Sequence, residues 1–134
     1  MRVVEYVRLL GDSPFASWFN DLDAVAAARV AVALSRMEHG NLSNTKSVGG
    51  GVLEYRIDFG PGYRIYFGMD GEELIILLGG GTKKRQQRDI GTAIELWQES
   101  ARGNDGTDAQ LQGNRQVESR SGSSLQGRAA DGGS

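Results

Sequence analysis

The sequence predicts an α+β fold: a small antiparallel sheet with an N-terminal helical hairpin packed on one face and a C-terminal helix. Three observations lead there. Residues 52–59 and 63–67 alternate apolar with polar, and residues 73–78 form a third strand-like run. Turn signals separate the runs, Gly60-Pro61-Gly62 and then Asp70-Gly71. Helix-period apolar stripes lie on either side of this hairpin set.

Residues 2–9 are rich in β-branched and aromatic types and read as a first strand. Ser13-Pro14 opens a helix, with a hydroxyl at the cap and proline at the first helical position. Phe15, Trp18, Phe19 and Leu22 give that helix a core-facing stripe. Asp21 or Asp23 caps a second helix reaching about Glu38, with Val30, Leu34 and Met37 as its spine and Arg29 and Arg36 toward solvent. His39-Gly40 closes it, the glycine supplying a left-handed residue. Residues 41–51 read as a polar loop carrying one cation, Lys46.

In the hairpins, apolar residues must pair with apolar ones, because a slip of one residue reverses the faces. A three-residue loop at 60–62 pairs Phe59 with Tyr63, Asp58 with Arg64, Ile57 with Ile65 and Arg56 with Tyr66. A two-residue loop at Asp70-Gly71 pairs Phe67 with Leu74, Ile65 with Ile76 and Tyr66 with Ile75. Arg56 and Arg64 then share an open face with Tyr66, Ile75 and Leu77. Beyond the sheet, Gly79-Gly80-Gly81 permits close backbone approach or a sharp turn. Lys83, Lys84, Arg85 and Arg88 form the densest positive cluster, at the start of a helix whose dipole disfavours cations. That helix carries Ile90, Ala93, Ile94 and Trp97 and is expected to end near Ser100. Residues 101–134 have almost no large apolar side chains and read as a disordered tail, leaving 1–100 as one domain.

Composition narrows the function. A formal net charge of −2 argues against a global nucleic-acid field, so any such site is a local basic patch. The absence of cysteine excludes disulfides and thiolate-bound metal, and a single histidine, His39, leaves no His-based zinc site. No metal or cofactor is expected. With no signal peptide and no long apolar run in the sequence, a cytoplasmic protein with no membrane contact is expected.

The segments 51–57, 60–67, 77–84 and 88–90, together with Ser13-Pro14-Phe15 and Gly40-Asn41-Leu42, resemble the RelE/ParE superfamily of bacterial toxins. More narrowly, they resemble its HigB-like, phage Gp49-like branch of addiction module killer proteins. The resemblance implies the toxin of a type II toxin–antitoxin module, a metal-independent, ribosome-dependent mRNA endoribonuclease. It implies a cognate antitoxin, of helix-turn-helix type, and mRNA on the ribosome as partners. Its chemistry is attack of a ribose 2′-hydroxyl on the adjacent phosphate, which needs a base, cations for the phosphorane and an acid. Matched by strand and turn, Arg56, Arg64, Lys83 and Lys84 are the implied catalytic residues. Lys46, Tyr66, Arg85 and Arg88 are the accompanying RNA contacts. Arginine clamps phosphate but is a poor base, so Lys83 or Lys84 is favoured for proton transfer. Asp58 stands where the ribonuclease branch carries a second lysine, and Arg88-Asp89-Ile90 offers no tyrosine or histidine. The general acid is thus unassigned. The alternative within the superfamily is a ParE-like toxin that binds DNA gyrase without breaking a bond.

Overall fold

The computed structural model describes residues 1–114, with side chains described through Gly103. Strand β1 (Arg2–Glu5) precedes helices α1 (Pro14–Asn20) and α2 (Ala24–Glu38). Strands β2 (Thr45–Gly49), β3 (Val52–Ile57), β4 (Tyr63–Asp70) and β5 (Leu74–Thr82) follow, then a 3₁₀ turn (Lys83–Arg85) and helix α3 (Gln86–Asn114). The caps are side-chain hydrogen bonds. Ser13 Oγ accepts from the Ala16 N–H, and Asp23, rather than Asp21, accepts from the Ala26 N–H.

The sheet has five strands in the order β1-β5-β4-β3-β2. It is mixed rather than antiparallel throughout, because β1 runs parallel to β5. The segment expected as a polar loop supplies β2, which pairs antiparallel with β3 and sets Lys46 opposite Glu54. An exposed edge strand buries little, so its sequence carries no apolar alternation.

Both hairpin registers differ from expectation. Between β3 and β4 the connection takes residues 58–62, closed by hydrogen bonds from the Phe59 N–H to the Ile57 carbonyl and from the Gly62 N–H to the Phe59 carbonyl. Ile57 therefore meets Tyr63, Tyr55 meets Ile65, and Arg56 lies directly across from Arg64. Asp58 stays in the loop and does not pair with Arg64. A shift of two keeps every side chain on its face, so alternation alone is blind to it.

Between β4 and β5 the change reverses the faces. Asp70 belongs to the strand and pairs with Leu74, so Phe67 sits opposite Leu77 rather than Leu74. Ile75 and Leu77, expected on the open face, are instead 0% and 2% exposed in the core beneath the first two helices. A bulge opposite Tyr66 and Phe67 then shifts the register by one residue, so Tyr66 meets Gly79 and Ile65 meets Gly80 rather than Ile75 and Ile76.

The core lies on both sides of the sheet. One layer joins Phe15, Val30, Ala33 and Met37 to Tyr55, Ile65, Phe67, Ile75 and Leu77. Trp18, Phe19 and Leu22 pack against it, as the helical stripe indicated. The other joins Val4, Tyr6, Val52, Tyr66, Ile76 and Leu78 to Ala93 and Leu96 of α3, with Ile90, Ile94 and Trp97 at its margin. The last helix thus covers the second face of the sheet. It also continues past Ser100 to Asn114, through residues expected in the tail. The rest of that tail, 115–134, lies outside the described residues. Among the described residues no helix is long and apolar enough to cross a membrane.

Candidate functional site

Where the β3–β4 connection meets the start of α3, an open cleft of about 530 Å³ is lined by Lys46, Arg56, Asp58, Phe59, Gly60, Pro61, Gly62, Arg64, Lys83 and Gln86. Four cations converge here from four segments. Lys46 comes from the edge strand β2, Arg56 from β3, Arg64 from β4 and Lys83 from the 3₁₀ turn. The Lys83 N–H donates to the Gly62 carbonyl at 2.8 Å, tying the basic turn to the hairpin loop. Gly62, with φ of +80°, adopts a left-handed conformation that favours glycine, and a β-carbon there would touch Arg64 Nη1 and the Lys83 stem.

The floor of the cleft is built differently from its rim. Arg56, Lys46 and Lys83 are exposed, whereas Arg64 is only 6% exposed. Beneath it lies Glu54, fully buried, with Oε1 3.9 Å from Arg64 Nε. The Gln86 side-chain amide donates to Glu54 Oε2 at 2.8 Å. Neither Glu54 nor Gln86 was among the residues marked by the sequence. Glu54 occupies an even position of an alternating strand, where a solvent-facing carboxylate is the ordinary reading, and only α3 converts that face into an interior.

The other expected site residues are placed elsewhere. Tyr66 is 1% exposed and packs with Val52, Leu78, Ala93 and Leu96, so its ring offers no face to a base. Burial, and then the Glu54 carboxylate, push its phenol above the usual tyrosine range. Lys84, Arg85 and Arg88 are exposed beside the cleft and do not line it. Asp89, in the first turn of α3, lies over Gly81. Burial raises its carboxyl above the usual range, and the nearby Arg85 and Arg88 offset part of the rise. Phe59 lines the cleft with the Arg29 guanidinium 4.3 Å from its ring centre, a cation–π contact.

An open groove edged by three exposed cations suits an anion with several oxygens, such as a phosphodiester. Asp58, Lys46 and Lys83 are the lining residues whose side-chain types serve as general acids or bases in other enzymes. Among the described residues, no three histidine, aspartate or glutamate side chains gather as metal ligands.

The model of the family described as "Phage derived protein Gp49-like (DUF891)" matches residues 17–98, a span holding every residue that lines the cleft. A protein of Haemophilus influenzae, described as uncharacterized, is 42% identical over 86 residues, covering 63% of this chain and 87% of the relative. The chain belongs to the Gp49-like family of phage-derived proteins, a family associated with the killer component of toxin–antitoxin modules.

Proposed function

We propose that the chain is the toxin of a type II toxin–antitoxin module and that it cleaves mRNA by attack of a ribose 2′-hydroxyl on the neighbouring phosphate. The observation that carries this reading is the cation set of one cleft, with Arg56 directly opposite Arg64 and Lys46 and Lys83 on the rim. In the attack, the 2′-oxygen bonds to phosphorus as the bond to the 5′-oxygen breaks, leaving a 2′,3′-cyclic phosphate and a 5′-hydroxyl. The proton lost by the 2′-hydroxyl is matched by one delivered to the leaving oxygen. Exposed Arg56 and Lys46 contact the non-bridging oxygens, and their charge stabilises the phosphorane. Lys83 is favoured over Lys84 for proton transfer, because it borders the cleft and Lys84 does not. A groove this open holds a flexible strand loosely, which supports a reading in which the ribosome supplies the orientation. The partners are then a ribosome-bound mRNA and a cognate antitoxin of helix-turn-helix type, in the cytoplasm.

The experiment induces the protein in a bacterial host and follows new mRNA 5′ ends and plasmid supercoiling together. New 5′-hydroxyl ends within coding sequence, reduced on the order of 10²–10³-fold by Arg56→Ala, are the expected result. Altered supercoiling with no new RNA ends would sink the nuclease and favour a gyrase-binding toxin.

A further inference from the structure

Glu54 is fully buried, and a buried carboxylate is costly unless its oxygens are partnered. One partner is neutral: the Gln86 amide, from the first residue of α3, donates to Oε2 at 2.8 Å. The other contact is an ion pair only: Arg64 Nε, also buried, lies 3.9 Å from Oε1, too far for a hydrogen bond, and neither atom has a hydrogen-bond partner among the described residues. Both residues project from the same face of the β3–β4 ladder on a diagonal, since Glu54 pairs with Tyr66 while Arg64 pairs with Arg56. The carboxylate therefore approaches the stem side of the guanidinium. At the far side, Arg64 Nη1 lies 3.5 Å from the Tyr63 carbonyl, beside Gly62 at the corner of the cleft.

We infer that Glu54 is a positioning residue: oriented by Gln86, it holds the Arg64 guanidinium so that its terminal nitrogens face a phosphate in the cleft. This rests on the reading of the cleft as a phosphate site. A simpler role is available, namely neutralising two arginines that face each other across the strands. The two roles differ in sign. If Glu54 only supplies negative charge, Glu54→Gln makes the cleft more positive and tightens anion binding. If it positions Arg64, the same change weakens binding despite the added positive charge.

The test titrates the parent, Glu54→Gln, Glu54→Asp and Gln86→Ala with inorganic phosphate and follows the Arg64 Nε–H resonance by NMR. Expected are phosphate binding about tenfold weaker in Glu54→Gln, the loss of one charge-assisted contact, a displaced Nε–H signal, and an intermediate result for Glu54→Asp. Glu54→Gln strands a buried cation, so folding is checked by circular dichroism. Should it unfold, Gln86→Ala decides: the change carries no charge, and a displaced Arg64 Nε–H signal with weaker phosphate binding is expected. Unchanged or tighter phosphate binding with an unmoved Nε–H signal, in whichever variant folds, overturns the inference. RNA cleavage measured in parallel separates the two readings. Weaker phosphate binding in the variants of a parent that cuts no RNA supports Glu54 positioning and removes the nuclease. A parent that binds no phosphate overturns the positioning role directly.

Discussion

The indole ring of Trp97 occupies the place where a β-carbon on Gly68 would project, so α3 lies almost directly on the β4 backbone. On the opposite side of the sheet, Trp18 of α1 rests on Gly80 of β5 in the same way. Each glycine is a gap shaped for one tryptophan. Gly68→Ala and Gly80→Ala are expected to destabilise the protein by about 1–3 kcal/mol through overpacking, read as a lower urea midpoint. Gly91, in α3 with open space around it, is the control. There alanine should stabilise by about 0.5–1 kcal/mol through helix propensity. Equal effects at all three positions would mean that contact with the tryptophans is not what selects glycine.

These glycines also mark how far the sequence was legible. Apart from β2, which was expected as a loop, the main strands and helices followed from periodicity: the stripe of Phe15, Trp18 and Phe19 and the alternation through Leu53, Tyr55 and Ile57 reappear as one core layer. Register did not follow. Asp70-Gly71 carries the signature of a two-residue turn, yet the β4 strand runs through Asp70 and the turn takes residues 71–73. That change exchanges the two faces of β5 and moves Ile75 and Leu77 from an expected open face into the core. The cations of the cleft were legible as residue types. What lies beneath them was not, because the burial of Glu54 and Tyr66 depends on where α3 docks, and no local pattern encodes that.

The face reversal has a direct consequence at Ile75, which is fully buried against the first two helices. Ile75→Lys places an unpaired charge in the interior and is expected to unfold the protein. Circular dichroism of the purified variant checks this. A folded Ile75→Lys protein as stable as the parent would restore the open-face reading of β5.

Arg64 is expected to answer differently from an exposed arginine. At 6% exposure above a buried carboxylate, its removal leaves Glu54 without its charged partner. Breaking such a pair costs about 3–5 kcal/mol when one charge remains. Arg64→Ala should therefore lower stability as well as the proposed RNA cleavage, whereas exposed Arg56→Ala should lower the proposed cleavage with little change in stability. Adding Glu54→Leu to Arg64→Ala removes the stranded charge and should recover much of the lost stability without recovering the proposed cleavage. If urea titrations find the double variant no more stable than Arg64→Ala, the pair is not what holds this corner of the fold.

Far from the cleft, Glu99 of α3 ties the last helix to the segment after β1. Its Oε2 accepts from the Tyr6 hydroxyl at 2.7 Å and from Arg8 Nε at 3.0 Å, and its Oε1 accepts from Arg8 Nη2 at 3.1 Å. The Arg8 hydrogen bonds, followed by that of Tyr6, hold the Glu99 carboxyl below the usual range. Burial, with Glu99 as the next cause, pushes the Tyr6 phenol up. A depressed carboxyl pKa in the folded state means that the folded protein binds fewer protons than the unfolded chain. Its contribution to stability is then present above the ordinary glutamate range and lost as pH falls through the depressed value. Asp89, raised by burial, acts with the opposite sign, so the useful quantity is the difference between the parent and Glu99→Gln. That difference in urea midpoint is expected to be largest near neutrality and to shrink as the pH is lowered from 6 toward about 3. It should also shrink in high salt, because Arg8 is exposed and an exposed ion pair is screened. A difference that stays constant with pH would mean that the Glu99 charge does not fasten α3, and that the helix is held by its other contacts with the sheet.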